Sequence, residues 1–346
     1  MSGSALRAKT RPMTDSDLSL VPDRPTMLAA MQAAGRAPSV HNTQPWRWVL
    51  DGAGLRLYRD DRRLLDVADP AGRQLVISCG AMLHHARTAF AAAGWHTDTV
   101  RIPDPGRPEW LATIEFRRWS TPPAQIVARA EAIMRRRTER LPMREPERWE
   151  ELEHRLRALA RYPDVVFDVL DDSARPRLAV ASEQSAAVQR YDMQYQSELH
   201  WWTAHSKPSE GIPREALAAG RDAANTPIRR TFPTVRHPPE RADHPDRAEL
   251  VVLSTHGDST AQWLAVGEAL SAVLLECTVS GAASCALTHL TELPAARRLI
   301  AELIDHQIIP QVVIRIGADD SASSPRTPRR AVEEFLTLDE TPDRIR

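Results

Sequence analysis

Two stretches of this chain, GAMLHHARTAFAAAG at 80–94 and GEALSAVLLECTVSG at 267–281, both place glycines fourteen residues apart around an apolar stripe. A stripe of that length is a helix with one buried face, and a closing glycine is a common way to stop one. Each is followed by a proline-containing segment and then a strand, 110–116 in one case and 310–316 in the other. The same order met twice predicts a duplicated unit whose two copies pack on each other. At 346 residues the chain has length enough for such a pair and its core.

The remaining elements are read around that frame. Residues 24–36 carry Met27, Leu28, Met31 and Ala34 at helical spacing, with Gly35 as a stop. Runs 46–50 and 55–58 flank Asp51-Gly52-Ala53-Gly54 as a hairpin. Asp69-Pro70 reads as an N-cap followed by proline at the first helical position. Residues 124–160 read as helical and charged, 165–170 and 249–254 as strands, and 177–189 as a helix. Ser259 and Gln262 are spaced as a capping box, and 310–317 is apolar enough for a central strand. A stretch at 190–247, anchored by Tyr191, Tyr195, Trp201 and Trp202, lacks periodicity and has no counterpart in the first half. It is either a peripheral insertion or a lid over a site. The expected organisation is a tail at 1–23, a first half at 24–123, a second half at 124–338 and a tail at 339–346.

Charge and cysteine content narrow the function classes. Forty-five basic against 46 acidic residues give a net charge of -1, which offers nothing to a general nucleic-acid binder. Anion binding would have to come from a local arginine cluster. Cys79, Cys277 and Cys285 have no metal or disulfide spacing, as suits a reducing cytoplasm. No HExxH or CxxC pattern argues for metal, and GxGxxG and Walker loops are absent. His84 and His85 are adjacent and are expected on different helix faces. The chain shows no N-terminal apolar region and no run approaching 18 apolar residues, so neither a secretion signal nor a membrane span is expected.

Three polar clusters remain. The first is Pro38-Ser39-Val40-His41-Asn42-Thr43-Gln44-Pro45-Trp46, a hydrogen-bonding loop between two prolines that runs into a strand. It suits a planar ligand, but spacing alone favours a turn whose Asn and Ser satisfy their own backbone. The second is Arg135-Arg136-Arg137-Thr138-Glu139-Arg140, which is either a solvated helical face or a phosphate cradle. The third is Arg329-Arg330 near the end of the chain.

Taken together these residues resemble the FMN-dependent nitroreductase family, and in their distribution its Acg branch. APSxxNxQPW is similar to the loop that enters the family's first strand. Arg136, Arg137, Thr138 and Arg140 are similar to its RRSxR run, with threonine for serine, and Arg329-Arg330 to basic residues closing the phosphate pocket. The resemblance runs over most of residues 25–338 and implies an α+β nitroreductase-like fold, an intrachain pseudo-dimer. The first half has the loop without an arginine run, and the second has the runs without a second loop. It therefore implies one FMN per chain, bound by Pro38, Ser39, His41, Asn42, Thr43 and Gln44 at the ring and ribityl chain. Arg136, Arg137, Thr138, Arg140, Arg329 and Arg330 would bind the phosphate, with NADPH or NADH as reductant. No side chain is nominated as catalytic and no metal is expected. The flavin is the expected partner, with no nucleic acid, no membrane and a monomeric state. Reduction of nitro compounds or quinones is one implied function; holding FMN under a lid with little turnover is the other.

Overall fold

A computed structural model describes residues 21–52, 54–204, 209–232, 243–304, 307–318 and 326–338. Apart from 21–23, the two expected tails lie outside the described residues, as do parts of the insertion. The chain opens with α1 (Arg24–Ala34), the hairpin β1 (Trp46–Asp51) and β2 (Gly54–Arg59), and the long α2 (Arg73–Ala92). Strands β3 (Trp95–Arg101) and β4 (Trp110–Arg118) complete the first sheet, and α3 (Ala124–Arg135) and α4 (Trp149–Leu159) follow. Then come β5 (Val165–Leu170), α5 (Ala174–Arg190), α6 (Met193–Ala204), the short α7 (Gly220–Ala224), β6 (Glu249–Thr255) and the long α8 (Thr260–Val279). The chain closes with β7 (Ala283–Leu287), α9 (Pro294–Leu303), β8 (Ile309–Gly317) and β9 (Leu336–Leu338).

The two sheets share a strand order. The first sheet runs β1-β2-β4-β3 and the second β5-β6-β8-β7, every one of these pairs antiparallel. In each, the long helix lies between the second and third strands of the chain, α2 in one and α8 in the other. Strand β9 then leaves the second half and joins the first sheet, parallel to β1 with Trp48 opposite Leu336. The two sheets are thus tied by the end of the chain as well as by their helices.

Those helices meet at the glycines singled out above. A Cβ on Gly80 would lie 2.2 Å from the Leu264 carbonyl oxygen, and one on Gly267 would lie 2.1 Å from that of Ile77. Gly80 and Gly267 therefore mark the crossing of α2 and α8, not the helix starts. Gly94 and Gly281 do terminate the helices, with φ of +83° and +77°, where a Cβ would be strained. Trp46, Trp48, Phe90 and Met82 fill the core between α2 and the first sheet, while Val251, Val273 and Ile314 do so beside α8. Among the described residues one helix, α8, is by length and composition alone apolar enough to cross a membrane. It is 78% buried within the fold, as the core helix of the second half.

Several boundaries move for identifiable reasons. Asp69 does not sit at the helix end; Pro70, Ala71 and Gly72 turn first, and its carboxylate reaches on to accept from the Gln74 and Leu75 amides at 3.0 and 2.9 Å. The expected continuous helix at 124–160 is broken, with Arg136 already extended at ψ 130° and Glu139 N donating to Ser284 O at 2.9 Å. Past Arg135, the exposed last residue of α3, the RRRTER run is thus neither a helix nor a solvated face but a segment laid along β7. His84 and His85 converge: Nδ1 of each lies 2.7 Å from Oγ of Ser271 on α8.

Candidate functional site

The loop after α1 is bent into a conformation that side chains resist. His41, Asn42 and Gln44 have φ of 47°, 58° and 51°, and only strong local bonding keeps non-glycine residues there. Gln44 N donates to Ser39 Oγ at 3.0 Å, and Val40 N to Ser78 Oγ of α2 at 3.1 Å. Arg63 donates to Thr43 O at 2.8 Å. From the C-terminal segment, Arg330 N donates to Gln44 Oε1 at 2.9 Å and its Nη1 to Gln44 O at 3.0 Å. Asn42 Nδ2 is shared between Gly211 O and Pro328 O, at 2.9 and 3.0 Å, and Gln44 Nε2 donates to Ser209 O at 2.9 Å.

This bonding divides the loop residues into two groups. Pro38, Ser39 and His41 line a cavity. Asn42, Thr43 and Gln44 are buried behind it, and the amides of Asn42 and Gln44 staple the loop to 209–211 and to the chain end. The expectation that all of them face a ligand is corrected accordingly. Asn42 Oδ1 and Thr43 Oγ1 stay buried without a partner.

The cavity lies between the halves. Gln74, Ile77 and Ser78 of α2 form one wall, and Thr138 and Arg140 enter from the second half with Leu287 and His289. The insertion contributes Ile212, Ala218, Arg229, Arg230 and Phe232. Phe232 meets the His41 ring edge-on at 6.1 Å. Charge on this side is partly spent, because Arg230 pairs with Glu292 and donates to the Tyr195 hydroxyl at 2.5 Å. His41 and His289 both have pKa values well below the ordinary range, through burial and then Arg230, so each presents a neutral ring. His289 holds Ser182 Oγ through Nε2 at 2.8 Å, leaving Nδ1 unpartnered.

Adjacent to Arg140 lies a group of like charges. Arg136 and Arg329 both donate to the Arg36 carbonyl, at 3.5 and 3.1 Å; after burial, Arg36 lowers the pKa of Arg136, and Arg136 and Arg36 lower that of Arg329. Burial is the first cause: it brings Arg136 down to about 10, with Arg36 and Arg140 adding to the effect, and puts Arg329 well below its usual value. No carboxylate pairs with Arg36, Arg136 or Arg329 among the described residues, and each leaves its Nε unpartnered. Buried like charges with no counter-ion are costly, and a multiply charged oxyanion is the ligand that relieves them.

The other predicted arginines are placed differently. Arg330 gives its guanidinium to the carbonyls of Gln44, Trp46 and Glu334, so it clamps the loop instead of joining the cluster. Arg137 is half-buried and does not line the cavity. Arg36 was passed over in sequence as an isolated residue, as were Ser78, Phe232 and His289. No local pattern marks any of the four.

No family model matches the sequence. A protein of Mycobacterium tuberculosis strain H37Rv named "Putative NAD(P)H nitroreductase acg" is 41% identical over 316 residues, 89% of this chain and 94% of its own. Among solved structures, the FMN-dependent nitroreductase NfnB from Mycobacterium smegmatis in complex with NADPH is 20% identical. It covers 60% of this chain and 96% of its own, with a TM-score of 0.38. A nitroreductase with bound FMN from Bacteroides fragilis is 13% identical, covering 56% and 90%, with a TM-score of 0.36.

Proposed function

The chain belongs to the nitroreductase family, in its Acg branch, and we propose that it is a flavoprotein holding one FMN between its two halves. The observation that carries this reading is the trio Arg36, Arg136 and Arg329, buried or half-buried with no paired carboxylate among the described residues and next to Arg140, which lines a largely apolar cavity. A largely apolar cavity walled by Ile77, Ile212, Phe232 and Leu287 suits a flat ring system, and the trio suits a phosphate tail. Arg36, Arg136 and Arg329 would hold the phosphate. Thr138 and Arg140, on the same segment as Arg136, would lie toward the ring, with Pro38, Ser39 and His41 against it. FMN, when bound, supplies hydride and single-electron transfer. The protein positions it, excludes water and keeps His41 and His289 neutral beside it. In this reading 24–123 and 124–338 are the two halves, 190–247 is a lid, and the chain works as a cytoplasmic monomer. NADPH or NADH is the reductant and nitro compounds or quinones are the acceptors.

A second reading, FMN retention with little turnover, is favoured by the latch on the insertion. Arg63 pairs with Glu210 at 2.5 Å, and Glu198 accepts from the amides of Val67 and Ala68 at 3.1 and 3.0 Å. Together with the bonds from Asn42 and Gln44, these hold Glu198 to the segment after β2 and 209–211 to the polar loop and Arg63, with Ile212 and Phe232 at the cavity. Anaerobic mixing of the FMN-loaded protein with NADPH or NADH separates the two. Rapid bleaching of the yellow colour supports the reductase; tight FMN retention with no bleaching over hours supports retention. Failure to bind FMN at all would reject both.

A further inference from the structure

Most polar groups that line the cavity satisfy one another. Gln74 gives its amide to Ala68 O and Glu292 Oε1 at 3.2 and 3.0 Å and accepts from Thr288 Oγ1. Ser78 donates to Gln74 O at 2.7 Å and accepts from Val40 N at 3.1 Å. Arg230 is neutralised by Glu292, reached at 3.1 Å through Nη1, and Arg315 by Asp246.

Two groups on the cavity wall differ. Arg229, half-buried on the insertion, donates Nε to Ala223 O at 2.9 Å and pairs with no carboxylate among the described residues. It brings one uncompensated charge to the cavity. His289 is 2% exposed; its Nε2 meets Ser182 Oγ at 2.8 Å, and its Nδ1 is buried without a partner. A serine hydroxyl both donates and accepts, so the ring can carry its proton on Nδ1 and offer it to a ligand. Their neighbours tie the two residues together: Arg230 reaches Thr288 Oγ1 at 3.5 Å and pairs with Glu292, on either side of His289 in the chain.

The run of β7 separates this place from the phosphate end. Glu139 N is bonded to Ser284 O near the start of the strand, whereas His289 follows its end. Ser284 to Leu287 alone spans about 10 Å. The segment of Thr138 and Arg140 therefore enters near one end, and Arg229 and His289 meet at the other. A single guanidinium with one neutral donor beside it matches a carboxylate, whose oxygens fit the guanidinium fork. A phosphate dianion would leave half its charge unmatched. Ile212, Phe232 and Leu287 on the same wall are apolar and include an aromatic ring, which suits a flat aromatic body on that carboxylate.

We propose that Arg229 and His289 form a subsite for the carboxylate of a flat aromatic acid, so that the protein prefers such acids to neutral molecules of the same shape. This rests on the FMN reading above and names the class of molecule that shares the cavity with the flavin.

The test titrates para-nitrobenzoate, ionised at pH 7, and its neutral methyl ester into oxidised FMN-loaded protein without reductant. Binding is read from the flavin absorption. The acid should bind at least about tenfold more tightly than the ester, as a charge-assisted pair requires. Arg229→Gln should bring that ratio close to one. Arg229→Lys, which keeps the charge and loses the Nε bond to Ala223, should retain most of it. FMN affinity should be unchanged in both variants, which also shows that they fold. A merely structural Arg229 would shift both probes alike and spare neither variant. Equal binding of acid and ester by the parent overturns the proposal, as does binding of neither probe or a preference that survives in Arg229→Gln. In each of these outcomes the FMN reading stands. Loss of FMN from Arg229→Gln would put Arg229 in the flavin site and overturn the subsite. A parent that holds no FMN overturns the flavin reading and the proposal with it.

Discussion

Replacing Gly267 by alanine sets two effects of opposite sign against each other. Alanine in a helix interior is favoured over glycine by about 1 kcal/mol, so propensity alone predicts a more stable protein. The crossing of α2 and α8 predicts otherwise. The new methyl would lie 2.1 Å from Ile77 O and 2.7 Å from Gly80 Cα, while real Cβ contacts stay beyond 3.0 Å. The helices must therefore part by about 0.9 Å at the crossing. A gap of roughly 0.5–1 Å forfeits a quarter to a half of the dispersion attraction across the seam. Overpacking of this kind costs about 1–3 kcal/mol, and at a backbone-to-backbone contact the upper end applies. The net expectation is a loss of about 2 kcal/mol, read as a lower urea midpoint at unchanged slope. Gly52→Ala, where a Cβ meets nothing within 4 Å, serves as the near-neutral control. Because Ile77 and Leu270 flank the cavity, flavin retention should weaken in Gly267→Ala as well. A Gly267→Ala protein at least as stable as the parent would refute the close crossing and the paired-helix account with it.

The remaining predictions concern charge. Arg136→Ala should weaken FMN binding by roughly 10- to 150-fold, since a charge-assisted bond is worth about 1.5–3 kcal/mol, while leaving the apoprotein as stable or more so because a like charge is gone. Fluorescence titration and thermal melts of the apoprotein read the two halves of that statement separately. Glu268→Gln removes the buried partner of Arg87 and Arg101, which are themselves about a third exposed. The expected loss is about 2 kcal/mol, below the fully buried figure because water reaches the arginines. Asp69 is raised to about 6 by burial, against the lowering effect of the Gln74 and Leu75 amide bonds. A raised carboxyl binds its proton more tightly in the folded state, so stability from this group falls as pH rises from about 4 to about 6 and is level above that. Asp69→Asn should remove that slope from a stability–pH profile; an identical profile would rule the assignment out.

What could be read beforehand was whatever is local. The hairpin, the capping box at Ser259 and Gln262, the central strand 310–317 and the paired long helices depend on periodicity and end signals carried within a few residues. The breaks came where a distant partner overrides local preference. Arg136 leaves the helical conformation and Glu139 pairs with Ser284 of β7, nothing of which shows in a run of charged helix formers. Strand β9 is three residues long and exists because β1 offers an open edge. The site shows the same division. The residue types of the polar loop and the arginine run were visible, but which way they point was not. Asn42 and Gln44 are turned by partners about 165 to 286 residues away. Arg36 is invisible as a site residue until the fold sets it beside Arg136 and Arg329, which lie 100 and 293 residues further on.

The proposed reading, two halves sharing a single site, has a physical basis in the two helices. Aligning them at the crossing sets Ala81 of α2 against Glu268 of α8, and Ser78 against Ala265. On α2 this face is open, with Gln74, Ile77 and Ser78 lining the cavity. On α8 the matching face carries a fully buried carboxylate, and Arg87 and Arg101 of the first half close over it at 2.8 and 2.5 Å. A second carboxylate two turns on, Glu276, is bound by Arg129 and Arg155 at 3.2 and 3.1 Å. Where the first face leaves guanidiniums without an acid, the second supplies acids to the guanidiniums. An anionic ligand is therefore relieved of competition at one face and opposed by buried acids at the other. On that reading the helix crossing and strand β9 require both halves, while the ligand chemistry requires only one of the two faces.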